Sequence, residues 1–431
     1  MVRIATGLSR QKRPMAKPCC YVRFLLIIAS LAFVLMLSLS HRIYTREIEP
    51  LLLHHQYNIY QPQPKATIAY AVSLTGCGAK DEAVNKAAAL TDGAAVLKHS
   101  IHLSSIQNPE SGSKYDYKMY AFVHPEAIHC SGPFTKLGYE VLIRDTPVNI
   151  TEIRGDFLRE RLPKSGCCGE KEFIKLYAYT LLDYPVVVHL DLDTLILRPL
   201  DNLFDVMIDD SDASSLARNK IPVMHDAEIP KKVDAMFTRD YNSINAGDKH
   251  AGVQGGFLVI RPSQEAFDEY VQIILEGNFN GGGWGGQYGF YWGVFQIQGL
   301  CAYFYDHFHP ETSLELNRCV YNLMADSPRE EPKTDGSQSR CLDGKDGCED
   351  CQKVDLATAK TIHFTLCRKP WMCHSSTKTN RKELCKKLHH EWFRVRKDFE
   401  LTERAKNGNT SRDLKDFCRG DGPQFYVPME L

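Results

Sequence analysis

Two spacings of hydrophobic positions alternate along this chain of 431 residues. Short apolar runs rich in β-branched and aromatic residues predict buried strands at residues 67–73, 117–123, 139–143, 186–190 and 255–261. Apolar residues three and four positions apart predict a helix at 171–182. Further helices are predicted at 81–103, which is rich in alanine and could be interrupted at Gly93, at 263–275, and at 380–406, which is long and charged. This alternation indicates an α/β domain with a mainly parallel sheet, in which ligands bind beyond the carboxyl ends of the strands.

The strand predicted at 186–190 ends in two carboxylates, Asp191 and Asp193. Strand side chains alternate between faces, so we expect these two to point the same way. Adjacent carboxylates repel unless a cation or a proton compensates them. Hard divalent cations prefer oxygen ligands, and Mg²⁺ or Mn²⁺ often bridges substrate phosphates at such sites. The plainer interpretation is a strand that ends in a solvated turn, where Asp is common.

The N-terminus indicates a membrane anchor. Residues 1–23 carry six basic side chains and residues 24–40 carry no charge, and 17 helical residues span about 26 Å. We therefore predict a cytosolic tail (1–23), a signal-anchor helix (24–40) and a stem (41–65), with the remainder in the lumen of the Golgi or the endoplasmic reticulum. The alternative is a cleaved signal peptide with an unusually long basic lead.

Cysteine content and charge narrow the class of protein. Thirteen of the 15 cysteines follow the predicted anchor, which suits disulfides in an oxidising lumen. The segment 325–355 holds Cys341, Cys348 and Cys351; a disulfide staple is the favoured interpretation, and zinc is the alternative. Asn149 and Asn409 begin glycosylation sequons. The net charge of −1 gives no sign of nucleic acid as a partner.

Four segments then follow one another in a recognisable order. Lys175-Leu176 precedes residues 189–205 (HLDLDTLILRPLDNLFD); residues 255–263 (GGFLVIRPS) and 320–322 (VYN) come next, and His363-Phe364 with Lys369-Pro370-Trp371 comes last. Over residues 66–375, these segments resemble glycosyltransferase family 8, the family of glycogenin and the bacterial galactosyltransferases.

The resemblance implies a fold and an activity. The fold would be GT-A, a Rossmann-like α/β domain at 66–380 with a cysteine-containing insertion at 325–355, followed by a helical extension at 381–431. The activity would be transfer of a sugar, with retention of configuration, from a UDP-sugar donor to a glycan, lipid or protein acceptor. Mn²⁺ or Mg²⁺ would be the cofactor.

The resemblance also implies roles by position. Metal ligands would be Asp191, Asp193 and His363; Lys369 would contact the diphosphate, and Lys175 would lie near the donor. Gln287 would lie near the transferred sugar, and Gln254 occupies the place of a family asparagine at the donor site. The uridine would be held by Ser73, Leu74 and Thr75.

The departures from the family pattern keep alternatives open. Gly286 stands where the family has an aspartate beside the sugar, and Leu366 replaces a glycine. The missing carboxylate favours front-face attack by the acceptor over a covalent intermediate. It also leaves open a nucleotide-sugar-binding scaffold without catalysis. A disulfide-stapled secreted interaction protein without a metal is the third hypothesis. Residues 278–299 form either a loop beside the site or a plain surface loop, and Trp284 either stacks on a sugar or packs.

Overall fold

The computed structural model describes residues 32–42, 63–77, 83–166, 168–209, 221–223, 228–243, 251–286, 295–330, 339–373, 380–407 and 417–429. The chain divides into two units, residues 1–63 and 64–431. In the first unit, residues 32–42 form an exposed helix, so the predicted anchor is described only from residue 32 onward. Within the described residues, every helix is too short or too polar to cross a bilayer. The anchor and the Golgi or endoplasmic-reticulum localisation stay predictions.

The second unit is built on a seven-stranded sheet. Its order is β10-β6-β7-β4-β1-β2-β3. Neighbours are parallel throughout β4-β1-β2-β3 and at β10-β6, whereas β7 runs antiparallel to both β4 and β6. The strands are β1 (Ala66–Leu74), β2 (Tyr115–Val123), β3 (Glu140–Ile143), β4 (Val187–Leu190), β5 (Thr194–Ile196), β6 (Ala235–Arg239), β7 (Val253–Ile260), β8 (Phe279–Asn280), β9 (Gly283–Trp284), β10 (Ser313–Glu315) and β11 (Thr361–His363). The predicted α/β class with a mainly parallel sheet is confirmed.

The predicted helices are present, with one change of type. The α-helices are Ala83–Leu103, Gly132–Lys136, Asp156–Arg161, Asp201–Ile208, Gln264–Glu276, Ile297–Tyr303 and Asn380–Asn407. The segment Gly169–Thr180, here called the Lys175 helix, is a 3₁₀-helix, which is long for this type. Gly93 does not interrupt Ala83–Leu103. A Cβ at Gly93 would lie 2.9 Å from the Leu192 carbonyl oxygen and 3.2 Å from the Trp371 ring, so the glycine permits close packing there.

The sheet is buried on both faces. In β1, Ile68, Tyr70 and Val72 belong to one core, while Ala69 and Ala71 belong to another. This two-residue alternation places both cores on a single apolar strand, as expected for a parallel sheet covered on both sides. The sequence therefore reads as continuous apolar runs at the strands that form the centre of the sheet.

A third core forms beneath the helix Asn380–Asn407. Its buried members include Trp371, Leu388 and Trp392, and the helix also packs against Ala83–Leu103. Described cysteines form the disulfides Cys77–Cys130, Cys319–Cys351, Cys341–Cys348, Cys367–Cys385 and Cys373–Cys418. The cysteines of the 325–355 segment thus form disulfides, and the zinc alternative is wrong because each of their sulfurs is bonded to another sulfur. Asn149 is exposed, and Asn409 lies outside the described residues.

Candidate metal centre and adjoining cavity

The two carboxylates meet in a turn. Strand β4 ends at Leu190, and Asp191 to Asp193 form a turn before β5. Thr194 closes it: its backbone N–H and its Oγ1 both donate to the Asp191 carbonyl oxygen, at 3.1 and 2.7 Å. The prediction that Asp191 and Asp193 lie together is confirmed, but strand alternation was the wrong reason, because the extended backbone ends before Asp191.

A short antiparallel ladder brings His363 to this turn. Strand β11 pairs with β5, so His363 lies opposite Thr194, and the Phe364 N–H donates to the Asp193 carbonyl oxygen at 2.9 Å. The His363 Nε2 atom lies 3.4 Å from Asp193 Oδ1 and 3.9 Å from Asp191 Oδ2. The ligand atoms of these three residues all lie within 4.8 Å of one another, so one ion could contact all three.

Asn322 orients the histidine. Its Oδ1 accepts a hydrogen bond from His363 Nδ1 at 3.1 Å, and its Nδ2 donates to Thr238 Oγ1 at 2.8 Å. A proton on Nδ1 leaves the lone pair of Nε2 directed at the carboxylates, as in metal sites whose histidines have a fixed outer hydrogen bond. Asn322 has a φ of 73°, a region that asparagine tolerates better than most residues. The VYN segment marked this residue without indicating its role.

Gly256 supplies the floor of the site. The Asp191 N–H donates to the Gly256 carbonyl oxygen at 3.1 Å, because the start of antiparallel β7 lies beside the end of β4. A Cβ at Gly256 would lie 2.3 Å from His363 Cε1 and 2.9 Å from Asp191 Oδ2. Any side chain here would displace two of the three ligands, so the close approach requires glycine.

Two lysines compensate the carboxylates. Lys175 Nζ lies 2.9 Å from Asp191 Oδ1, and Lys369 Nζ contacts Asp193 Oδ2. Burial alone would raise the pKa of both aspartates. For Asp191 the Lys175 ammonium outweighs burial, and for Asp193 the neighbouring His363 and Lys369 outweigh it, so both pKa values lie below the usual range. Both carboxylates are therefore ionised and ready to bind a cation.

This donor set fits a divalent cation of the Mn²⁺ or Mg²⁺ type. Two carboxylates and an imidazole oriented by Asn322 offer oxygen and nitrogen ligands without thiolates, a set that suits Mn²⁺ and is less typical of Mg²⁺. Asp193 and His363 are almost fully buried, whereas the Asp191 side chain is one-third exposed. An ion held here would keep an open side toward the neighbouring cavity.

A cavity of about 720 Å³ opens beside these residues. It is lined by Ser73, Leu74, Thr75, Gly76, Ala89, Leu90, Cys168, Glu172, Lys175, Asp191, Leu192, Asp193, Lys369, Trp371, Met372, Pro423, Gln424 and Tyr426. Seven residues predicted for the site are among them: Ser73, Leu74, Thr75, Lys175, Asp191, Asp193 and Lys369. The structure therefore brings the end of β1, the carboxylate turn and both lysines into one space of the size that small-molecule sites have.

Three predicted residues have other positions. His363 is buried beside the two carboxylates and does not line the cavity. Gln254 is buried and does not line the cavity; its Oε1 accepts a hydrogen bond from the Gly256 N–H at 2.7 Å. It therefore supports the floor of the site from behind, through the backbone that contacts Asp191 and His363. Gln287 lies outside the described residues, as do most of the aromatic residues that follow Gly286.

The hairpin formed by β8 and β9 shows the role of Trp284. Trp284, in β9, is fully buried and packs against Phe279 and Tyr303, with ring centroids 5.5 and 6.4 Å apart. It is a packing residue, and the alternative that it stacks on a sugar is wrong.

The structure adds residues that the sequence did not single out. His189, in β4, is fully buried, and its Nε2 lies 2.8 Å from the Ser73 hydroxyl at the cavity edge. Burial, with help from Lys175, lowers the pKa of His189 to about 3, so the ring is neutral and orients Ser73. Ser73 and His189 are 116 positions apart in the sequence and meet because β1 and β4 are adjacent in the sheet. Only the strand pairing could have revealed this contact.

The C-terminal segment contributes to the lining of the cavity. Pro423, Gln424 and Tyr426 line it together with Trp371 and Met372; these five residues are called the C-terminal wall below. The disulfide Cys373–Cys418 ties this segment to the turn that carries Lys369. Apart from the Lys-Pro-Trp match, no signal in the sequence pointed to this wall.

Comparison with known proteins gives matches only among solved structures. No protein-family model and no curated protein matches the chain. The bifunctional glycosyltransferase WbbM is similar at a TM-score of 0.39 with 11% identity, over 80% of this chain and 52% of that one. The glycosyltransferase GlyE of Streptococcus pneumoniae has a TM-score of 0.38 and 10% identity, over 81% of this chain and 66% of GlyE. Mouse xyloside xylosyltransferase 1 has a TM-score of 0.36 and 10% identity, over 59% of this chain and 87% of that enzyme. The chain thus spans about half of WbbM. Such low values do not by themselves assign a function.

Proposed function

We propose that this chain is a metal-dependent glycosyltransferase with a GT-A fold that uses a UDP-sugar donor. The observation that carries the proposal is that Asp191 and Asp193, which form a cluster with His363, line one cavity together with a lysine that can reach a phosphate and with the carboxyl end of β1. A nucleoside diphosphate bound to a divalent cation matches this arrangement, because the ion bridges carboxylates and phosphates while a lysine neutralises the remaining charge.

Each residue then has a task. Asp191, Asp193 and His363 would hold the ion, which stabilises the negative charge that develops on the departing diphosphate. Lys369 is nearly half exposed, so its ammonium can leave Asp193 for a phosphate oxygen once a cation compensates the carboxylate. Ser73, oriented by His189, lies at the strand end where a nucleoside would bind in an open α/β sheet.

The stereochemistry of transfer, the cellular location and the acceptor extend this proposal. We infer transfer with retention of configuration and a lumenal site in the Golgi or endoplasmic reticulum, supported by the family resemblance, by the uncharged N-terminal segment and by the five disulfides. The acceptor would be a glycan, a lipid or a protein.

The test is release of UDP by the full-length chain made in a secretory host. A panel of UDP-sugars is offered with Mn²⁺, with and without a chelator, and the control is Asp191→Asn/Asp193→Asn, which keeps the shape of the turn and removes its charge. Binding of UDP is measured in parallel by calorimetry. Metal-dependent release from one donor, lost in the variant, would support the proposal and name the sugar.

Two other results point elsewhere. Binding of UDP that requires Mn²⁺, without release from any donor even when acceptor mixtures are supplied, would indicate a catalytically inactive scaffold. Absence of both UDP and Mn²⁺ binding would contradict the proposal and favour a disulfide-stapled interaction protein.

A further inference from the structure

Glu172 is a cavity residue whose carboxylate has no role in the reaction proposed above. It lies in the Lys175 helix, and because residues three apart lie one above the other in a 3₁₀-helix, Glu172 and Lys175 share a face. Glu172 lines the cavity beside Lys175 and Asp191, and its side chain is 18% exposed. Glu172 is close to the carboxylate turn, because Lys175 contacts both Glu172 and Asp191.

Lys175 is fully engaged by the protein. Its Nζ lies 2.9 Å from Asp191 Oδ1, 3.2 Å from Glu172 Oε1 and 3.2 Å from the Gly255 carbonyl oxygen. An ammonium has three N–H donors, so these three acceptors account for all of them. Lys175 therefore positions carboxylates, whereas Lys369, which is nearly half exposed, is the lysine able to contact a ligand.

Glu172 is engaged on one side only. Within the described part of the chain, its carboxylate has Lys175 as its partner, through Oε1. The Lys175 charge is shared with Asp191, so the Glu172 end of the cavity is not a cationic surface. An ionised carboxylate can only accept hydrogen bonds, and it repels phosphate oxygens. Its chemistry fits the hydroxyl groups of a sugar, while the diphosphate belongs near Lys369 and the ion.

We propose that Glu172 binds a hydroxyl group of the transferred sugar and thereby selects the donor, an inference that rests on the proposed function. A partly buried carboxylate that accepts a hydrogen bond from a sugar hydroxyl discriminates against a donor sugar that lacks this hydroxyl, since that hydrogen bond would be lost. The Lys175 helix then carries two tasks on one face: Lys175 holds Asp191 for the ion, and Glu172 reads the sugar.

The experiment measures binding by the full-length chain in the presence of Mn²⁺. Dissociation constants of UDP and of UDP-sugars, including analogues that lack one hydroxyl each, are compared for the wild type and for Glu172→Gln. The matched control is Glu170→Gln, on the same helix but not among the cavity residues. We expect Glu172→Gln to weaken binding of the preferred UDP-sugar about tenfold or more, to leave UDP binding unchanged, and to abolish discrimination against one deoxy analogue.

The outcomes separate the two proposals. Unchanged UDP-sugar binding in Glu172→Gln, with UDP bound normally, would overturn the role of Glu172 and leave the proposed function intact. Equal weakening of UDP and UDP-sugar binding would also overturn it, because Glu172 would then act only by holding Lys175 and Asp191. If the wild type binds neither UDP nor any UDP-sugar, the proposed function fails and this inference fails with it.

Discussion

Two regions that line the cavity, the metal centre and the C-terminal wall, are held in place by different means. At the metal centre, Asp191 and Asp193 are ionised carboxylates; Lys175 stays engaged with the protein, whereas the more exposed Lys369 can leave Asp193 for a ligand. The five residues of the C-terminal wall are uncharged, and the charges beside them, on Arg396 and Asp92, are buried and pair with each other. The metal centre can therefore bind an incoming ion, whereas the charges beside the C-terminal wall hold the C-terminal segment in place.

Arg396 is the centre of the second arrangement. It is fully buried, and its guanidinium donates to the Tyr426 hydroxyl at 2.7 Å and to the Val427 carbonyl oxygen at 2.8 Å. It also forms ion pairs with Glu400 at 2.9 Å and with Asp92 at 3.6 Å. One cation therefore joins the helix Ala83–Leu103 to the C-terminal segment. We therefore expect substitutions near the C-terminal wall to change mainly the unfolding free energy, and substitutions at the metal centre to change mainly ligand binding.

The largest expected effect is that of Arg396→Met. The substitution removes the cation that is paired with the buried Asp92, and removal of one partner of a buried pair typically costs about 3 to 5 kcal/mol of unfolding free energy. Urea unfolding of the full-length chain measures it. The control is Arg394→Met on the same helix, where an exposed pair with Glu391 contributes about 1 kcal/mol or less. Equal losses in the two variants would contradict the assigned role of Arg396.

Removal of the disulfide Cys373–Cys418 comes next. We expect Cys373→Ala/Cys418→Ala to lower the unfolding free energy by about 2 to 4 kcal/mol and to weaken UDP binding, because the wall is no longer tied to the turn of Lys369. The matched control is Cys341→Ala/Cys348→Ala, which opens a loop of 7 residues whose cysteines do not line the cavity. Weaker UDP binding in the control as well would break the link between this disulfide and the cavity.

The pH dependence of stability offers a third test. Burial raises the pKa of Asp92 to about 6, although Arg396 and Tyr426 oppose this. The folded state thus retains a proton that the unfolded state loses near pH 4, so the contribution of Asp92 to stability is fully present below about pH 4 and is lost as the pH rises through about 6. The expected loss is at most about 3 kcal/mol. Asp92→Asn should remove this part of the profile; an unaltered profile would show that Asp92 is ionised throughout.

The smallest effect is expected at the metal centre, from Asn322→Gly. Glycine accepts the φ of 73° but removes the acceptor of His363 Nδ1, and loss of such an outer partner typically costs about 10- to 100-fold in metal affinity. Mn²⁺ titration in the presence of UDP measures it, with Asn322→Asp restoring an acceptor and Asn278→Ala as an exposed control. A change in unfolding free energy without a change in Mn²⁺ affinity would contradict the difference between the two regions.

Much of the sheet could be predicted from local pattern. Strand β1 was expected at 67–73 and spans Ala66–Leu74, and Ser263 caps the helix Gln264–Glu276 where the pattern placed a helix start. These features depend on side-chain periodicity and capping, which neighbouring residues decide. The antiparallel direction of β7 could not be read in this way, because periodicity is the same for both directions of a strand.

The sequence by itself determined the pair Asp191 and Asp193, since both lie within one turn at the end of an apolar strand. It also marked His363 and Lys369, although only by family resemblance. The tertiary structure alone decided that the β11–β5 ladder brings His363 to that turn, that Glu172 lines the cavity, and that a segment more than 230 residues after Asp191 lines the same cavity. The physical reason is that such contacts arise from strand pairing, disulfides and buried charges between distant segments, whose partners no local pattern specifies.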